Sequence, residues 1–262
     1  MPEYELATRA VLRALGIQLR VVQEPLCCGA PIAESFTADW VHLAAYNRAQ
    51  VEAGGCDTVV TLCGSCTNAL TRAGEALQHE EVRTEAAHRL RPLGLRVDSG
   101  VVVKHLVRLL SERADELRSR TVRRVDVRVA ITNPCQAFRP GVVMGYDDPM
   151  EPQAMRRLIE LAGAEIVTYG GEDECCGATL FLADPRLSLD AGERKLDATR
   201  EADILIHSCG NCHLLLRHLQ RRIAARDPAT GRRVRKRALF LPQMLGLAMG
   251  ISPAELGMHY DL

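Results

Sequence analysis

Asp203-Ile204-Leu205-Ile206-His207-Ser208-Cys209-Gly210-Asn211-Cys212 is a short apolar run that ends on two cysteines three positions apart. A run of that length and composition reads as a buried strand, 203–208. The residues that follow, 213–224, carry apolar side chains at helical spacing. The cysteines therefore sit where a strand hands over to a helix. At such a junction the first helical N–H groups lack partners within the helix, and the helix dipole favours negative charge. Thiolate is the metal-binding form of cysteine, and these surroundings lower its pKa. Gly210 lets the backbone turn tightly around a bulky inorganic group.

The same text occurs earlier in the chain. Asp57-Thr58-Val59-Val60-Thr61-Leu62-Cys63-Gly64-Ser65-Cys66 precedes it by 146 positions, and Cys27-Cys28-Gly29-Ala30 precedes Cys175-Cys176-Gly177-Ala178 by 148. Leu12–Ile17 resembles Ile159–Ala164, and Val102–Val107 resembles Phe240–Leu245, which makes His105 and Gln243 equivalent. Collinear matches of this kind mark an internal duplication. Two lobes are expected, residues 1–120 and 121–262.

Working outward, helix and strand alternate in both lobes. Leu6, Ala10, Val11, Leu12 and Leu15 line one face of a helix that Gly16 stops, and 17–22 reads as a strand. A helix over 38–53, strand 57–62, helix 67–77 and a strand-to-helix run over 101–110 complete the first lobe. The second has helix 152–162, strand 165–169, helix 186–201, strand 203–208, helix 213–224, strand 238–241 and helix 242–249. The fold class is α/β: two pseudo-symmetric lobes with mostly parallel sheets flanked by helices. In such sheets chemistry gathers at the carboxyl ends of the strands. The second lobe also opens with a strand, 127–132, that runs into Cys135. Its counterpart would fall before Met1. The first lobe thus lacks an opening strand and one cysteine, which reads as a truncated or wrongly started chain or as a degenerate lobe.

Composition limits the function classes. Net charge is zero and aromatics are 4% of the 262 residues, so neither a nucleic-acid surface nor a general attraction to anionic membranes is indicated. No apolar run is long enough to span a bilayer, and the amphipathic start is not a secretory signal. A Gly-x-Gly-x-x-Gly motif is absent, so no flavin or nicotinamide site is expected. Nine of the ten cysteines fall in five short groups: Cys27–Cys28, Cys63 with Cys66, Cys135, Cys175–Cys176, and Cys209 with Cys212. Without a signal peptide, clustered thiols bind metal or do redox work more often than they form structural disulfides. The second lobe offers five thiols, one more than a tetrahedral zinc ion or an ordinary cubane cluster takes. That invites an opened or bridged 4Fe–4S cluster. A four-cysteine zinc site stays open, above all in the first lobe with Cys27, Cys28, Cys63 and Cys66. Cys56, before its strand, is assigned to core packing.

These residues resemble the Cys-Cys-Gly domain family, most closely the branch that forms the B subunit of heterodisulfide reductase. Cys135…Cys175-Cys176-Gly177…Cys209-x-x-Cys212 resembles the complete motif, and Cys27-Cys28-Gly29…Cys63-x-x-Cys66 the motif without its first cysteine. Val143–Pro149, Cys212-His213-Leu214 and Leu245–Gly250 are similar to the flanking text of that branch. The resemblance implies a cytoplasmic iron–sulfur oxidoreductase, membrane-associated at most through partners. It implies two noncubane 4Fe–4S clusters that face each other near the lobe interface, the first site being incomplete or zinc-bound. A disulfide (or thiol) substrate would enter between them. Cys27, Cys28, Cys175 and Cys176 would lie at the substrate. The implied partners are two further subunits, one ferredoxin-like and one flavin-containing. The bare cysteine pattern is shared with electron-transfer or anchoring subunits of succinate and glycolate/lactate oxidoreductases, and a zinc scaffold is the third alternative.

His105, Gln243 and His213 are further candidates, as hydrogen-bond donors to sulfur or as helix-start and packing residues. Lys104, Arg139 and Arg13 could meet an acidic substrate. The basic stretch Arg217–Arg237, with Asp227–Gly231 as an internal turn, reads as a solvated helix end and hairpin-like loop or as a docking surface for an acidic partner.

Overall fold

The computed structural model describes residues 1–30, 39–97 and 100–258. It contains, in order, α1 (Pro2–Ala14), α2 (Trp40–Ala53), β1 (Thr58–Thr61), α3 (Gly64–Ala76), α4 (Glu80–Leu90), β2 (Val102–His105), α5 (Leu106–Glu112), α6 (Ala114–Arg120), β3 (Arg128–Thr132), α7 (Gly141–Met144), α8 (Ala154–Ala162), β4 (Glu165–Ile166), α9 (Pro185–Ala198), β5 (Ile204–His207), α10 (Gly210–Arg226), α11 (Pro228–Val234), β6 (Arg237–Phe240) and α12 (Leu241–Ala248). All strand pairs are parallel. One sheet has the order β4-β3-β5-β6 and the other is β1-β2 alone. This is the α/β class with parallel sheets that the alternation of strand and helix predicts.

The larger sheet is a buried one. Val129, Ala130 and Ile131 of β3 and Ile204 to His207 of β5 are all shielded from water. Continuous apolar runs of this kind belong to parallel strands covered on both faces. Each fully buried branched side chain contributes roughly 1.5–3 kcal/mol of transfer free energy. Chain contacts divide the molecule into two compact units. The larger holds Met1–Gln18, Leu110–Cys135 and the chain from Met150 onward; the smaller holds Leu19–Leu109 and Gln136–Pro149. This division differs from the repeat boundary at 120/121. Helix α1 lies in the larger unit because its buried face (Tyr4, Ala7, Thr8, Val11, Leu12) packs on α12, with the Tyr4 ring stacked 4.0 Å from Phe240. Residues 136–149 lie in the smaller unit, where Asn68 Nδ2 donates to the Arg139 carbonyl (2.8 Å) and Arg108 sits over the Tyr146 ring. Each motif's cysteines nonetheless stay together, four in the smaller unit and five in the larger.

Several expectations are corrected. Residues 17–22 form no strand, and Leu19 and Val21 are exposed. Their counterpart β4 pairs only with β3, and among the described residues the smaller sheet has no strand equivalent to β3, so 17–22 has no ladder to join. The expected strand 165–169 shortens to two residues because Tyr169 turns away and donates its hydroxyl to the Ile131 carbonyl at 2.6 Å. The expected helix start at 38 lies outside the described residues; the helix is seen from Trp40. Helices α3 and α10 begin three residues earlier than expected, at Gly64 and Gly210, so Cys66 and Cys212 belong to their first turns. The basic stretch is no hairpin. Asp227 caps α11 by accepting from the Ala229 N–H, and Pro228 at the first helical position needs no donor. His105 and Gln243 are not equivalent either. His105 lies opposite Thr61 in one sheet as Phe240 lies opposite His207 in the other, so His105 matches Phe240.

Candidate thiol centres

The two centres share a backbone plan. In each, a cysteine pair precedes a glycine in the left-handed region, Gly29 at φ +83° and Gly177 at φ +92°. A Cβ at Gly29 would lie 2.8 Å from the Trp40 carbonyl oxygen, and one at Gly177 would lie 2.4 Å from that of Ser188. Trp40 and Ser188 belong to α2 and α9, so the glycine lets the loop press onto the following helix. The second cysteine pair starts a helix. Cys63 and Cys209 are the N-cap residues of α3 and α10, both extended at φ −144°.

In the larger unit the five thiols form a chain. Hydrogen bonds join Cys135 to Cys175, Cys175 to Cys176, Cys176 to Cys212, and Cys212 to Cys209. Cys175 receives most of this donation. The thiols of Cys135 and Cys176 hold it far below the ordinary cysteine value. The Gly177 N–H adds a bond to the Cys175 sulfur at 3.3 Å. Cys135 is pushed up because it donates to Cys175, and burial adds to the effect. Cys176 is pushed up to about 12 by its bond to Cys175. Cys212 is raised through its bonds to Cys176 and Cys209. Cys176, Cys209 and Cys212 are buried, while Cys135 and Cys175 are partly exposed.

The smaller unit has a shorter chain. Cys66 donates to Cys28 and is also bonded to Cys63, so Cys66 is raised and Cys28 is lowered to about 7. Cys27 is exposed. Among the described residues, no three His, Cys, Asp or Glu side chains converge closely enough to hold a single metal ion. Soft sulfur donors strung out in pairs, with a backbone N–H on sulfur, match the donor chemistry of a polynuclear iron–sulfur group.

Two residues without a motif of their own hold these loops in place. Lys195, on α9, is buried, and its ammonium donates to the carbonyls of Gly171 (2.9 Å), Glu172 (3.3 Å) and Glu174 (2.8 Å), just before Cys175. It also lies over the Tyr169 ring. Burial lowers its pKa, while the nearby thiols act to raise it. Asn47 has the matching place on α2. Its amide donates to the carbonyls of Leu26 (3.1 Å) and Cys27 (3.4 Å), and its oxygen accepts from the Leu26 N–H (2.9 Å). The signal in the sequence is a polar residue inside the buried helical stripe, as Lys195 is between Ala191, Gly192, Leu196 and Thr199.

The other candidates are placed as follows. Gln243 is committed to backbone: its oxygen accepts from the Phe240 N–H and its amide donates to the Leu256 carbonyl. His105 is buried at the end of β2 and accepts from the Val107 N–H through Nδ1. His213 is buried beside Cys212, with neither ring nitrogen bonded among the described residues, and its ring meets His207 edge-on at 5.3 Å. Burial lowers the His213 pKa to about 4. Arg139 Nε donates to the Pro149 carbonyl, Arg13 lies in the last turn of α1, and Lys104 is half-buried in β2. Cys56 does not enter the core assigned to it; it is half-exposed after the turn at Gly55.

Comparison with known proteins places this plan. The chain is 29% identical over 99% of its length to the B subunit of the Ferredoxin/F(420)H(2)-dependent CoB-CoM heterodisulfide reductase of Methanosarcina acetivorans, covering 88% of that protein. It is 27% identical over 97% of its length to a protein of Archaeoglobus profundus that is similar to the heterodisulfide reductase B subunit, covering 88% of it. It is 26% identical over 99% of its length to the 8-methylmenaquinol:fumarate reductase membrane anchor subunit of Wolinella succinogenes, covering 91% of it. Among solved structures, a hypothetical protein from Helicobacter pylori shares the fold, with a TM-score of 0.67 and 14% identity over 97% of this chain. The chain spans only 47% of that structure's length. The model of the cysteine-rich domain (CCG) family matches residues 1–71 and 129–217, which contain all nine grouped cysteines. The chain belongs to the cysteine-rich domain (CCG) family.

Proposed function

We propose that this protein is the thiol-ligand subunit of a heterodisulfide reductase-like complex, reducing a disulfide or oxidising thiols. The observation that carries the reading is the hydrogen-bonded five-thiol chain of the larger unit, with the Gly177 N–H on the Cys175 sulfur. Cys135, Cys175, Cys176, Cys209 and Cys212 would hold one noncubane 4Fe–4S cluster, and Cys27, Cys28, Cys63 and Cys66 a second. Such clusters supply one-electron transfers and iron that stabilises a thiolate, which suits a two-electron S–S cleavage divided between two centres. The protein's own part is to keep sulfur deprotonated and in place. Gly177 N–H stabilises Cys175, Lys195 fixes the preceding loop, and the N-termini of α3 and α10 favour negative charge at the Cys63 and Cys209 turns.

Two partners, one ferredoxin-like and one flavin-containing, would supply the electrons in the cytoplasm. The Methanosarcina acetivorans relative supports that reading, since it is one subunit of a reductase. No described helix is long and apolar enough to cross a membrane. The Wolinella succinogenes relative supports a second reading, an electron-transfer or anchoring role in a fumarate or succinate-type enzyme. Iron, zinc and acid-labile sulfide are to be measured on anaerobically purified protein, with electron paramagnetic resonance. Iron and sulfide, with turnover of a heterodisulfide by reduced viologen, are expected. Iron and sulfide without turnover selects the second reading; zinc without sulfide overturns both.

A further inference from the structure

Beside the larger unit's thiol chain lies a cleft of about 1050 Å³ between one face of α10 and the edge strand β6. Arg217 and Arg221 line the helix wall, and Arg235, Lys236 and Arg237 line the strand wall. Glu3 is the one carboxylate among the described lining residues. The chain carries no net charge, so this basic concentration is local. His213 also lines the cleft. It is 4% exposed, both its ring nitrogens lack a partner among the described residues, and it directly follows the buried thiol of Cys212. The less buried cysteines of that chain are instead Cys135 and Cys175.

We propose that this cleft is the docking site for a carboxylate-rich segment of the protein that exchanges electrons with the larger thiol centre. The inference rests on the redox reading above and adds where the partner attaches. A single small anion needs one compact cradle, whereas these five cations line two walls, one on α10 and one at the start of β6. Several negative charges carried along an extended segment match that spread. Like-signed walls also steer an acidic partner on approach, in a salt-dependent way. Docking at the His213 side does not cover Cys135 or Cys175, neither of which lines the cleft.

The test is binding of a fluorescent oligoglutamate peptide to the full chain, followed by anisotropy at low and high salt. The R217E/R221E variant should bind at least about tenfold more weakly than the parent. Arg222→Glu, on α10 but outside the cleft lining, should bind as the parent does. In the native complex, carbodiimide should cross-link Lys236 to an Asp or Glu of a partner protein. Equal binding by R217E/R221E, displacement of the peptide by equimolar pyrophosphate, or cross-links that avoid Lys236 would each overturn the proposal. Iron content and reduction by dithionite are read on the same samples. Iron-free parent protein would remove the redox reading, while the peptide and cross-link results would still decide the docking site.

Discussion

Cys63 and Cys209 have almost the same backbone angles, φ −144° with ψ 129° in one and 128° in the other, yet their surroundings differ. Where the smaller unit has Thr61 and Thr67, whose hydroxyls lie 2.6 Å apart, the larger has His207 and His213, whose rings meet edge-on. Where the smaller fixes its cysteine-pair loop with the neutral amide of Asn47, the larger uses the ammonium of Lys195. The low-pKa sulfur also changes place. It is Cys175 in the larger unit, where Cys135 donates to it, and Cys28 in the smaller, where Cys66 donates to it. The shared backbone plan thus fixes where sulfur sits, while the neighbours decide which sulfur has its pKa lowered.

The largest expected effect is on cluster loading. Cys212→Ala should remove about half the iron and sulfide, all of it from the larger centre. Cys27→Ser should remove less, since Cys27 is the exposed member of its set. Equal losses in metal analysis and spin quantitation would break the asymmetry.

Thiol reactivity sharpens it next. In metal-free protein, alkylation of Cys28 should rise through about pH 7 rather than near the ordinary value of 9.0. Above that pH Cys28 is thiolate, and below it the thiol is protonated and slow. Cys175 should stay reactive at still lower pH. Cys135→Ala should return Cys175 upward, and mass spectrometry of the alkylated peptides reads both.

Backbone strain gives a smaller effect. Gly177→Ala should destabilise the larger unit by about 2–4 kcal/mol, through the left-handed φ and the clash with the Ser188 carbonyl. Gly29→Ala should cost less, since its nearest approach is longer. Thermal unfolding of both variants decides the order. Lys195→Met should cost about 2–3 kcal/mol by leaving three carbonyls without their donor, against about 1–2 for Asn47→Ala. Faster amide exchange over 171–178 is the accompanying sign. Smallest of all, Thr67→Val should cost about 1 kcal/mol in denaturant unfolding, since it removes the Thr61 contact and the bond to the Cys63 carbonyl.

The fold class was legible because strand and helix periods are local: β5 and α10 can be read from Ile204–His207 and the apolar spacing after Cys212. The nine cysteines were legible because their spacing repeats. Two things were not. Residues 17–22 have strand composition, but a strand needs a neighbour, and among the described residues the smaller sheet has none equivalent to β3. The Val102–Val107 match to Phe240–Leu245 slipped because apolar residues are interchangeable in such runs, whereas the hydrogen-bonded register in the sheets is not.

By itself, the sequence determined the α/β class and the repeated grouping of nine cysteines, because both follow from short-range pattern and exact spacing. Only the tertiary structure decided that α1 packs on α12, that Asn47 and Lys195 fix the loops ahead of the cysteine pairs, and that neighbouring thiols lower the pKa of Cys175 and Cys28. Those outcomes depend on which side chains meet across long stretches of chain, and on how deeply each is removed from water.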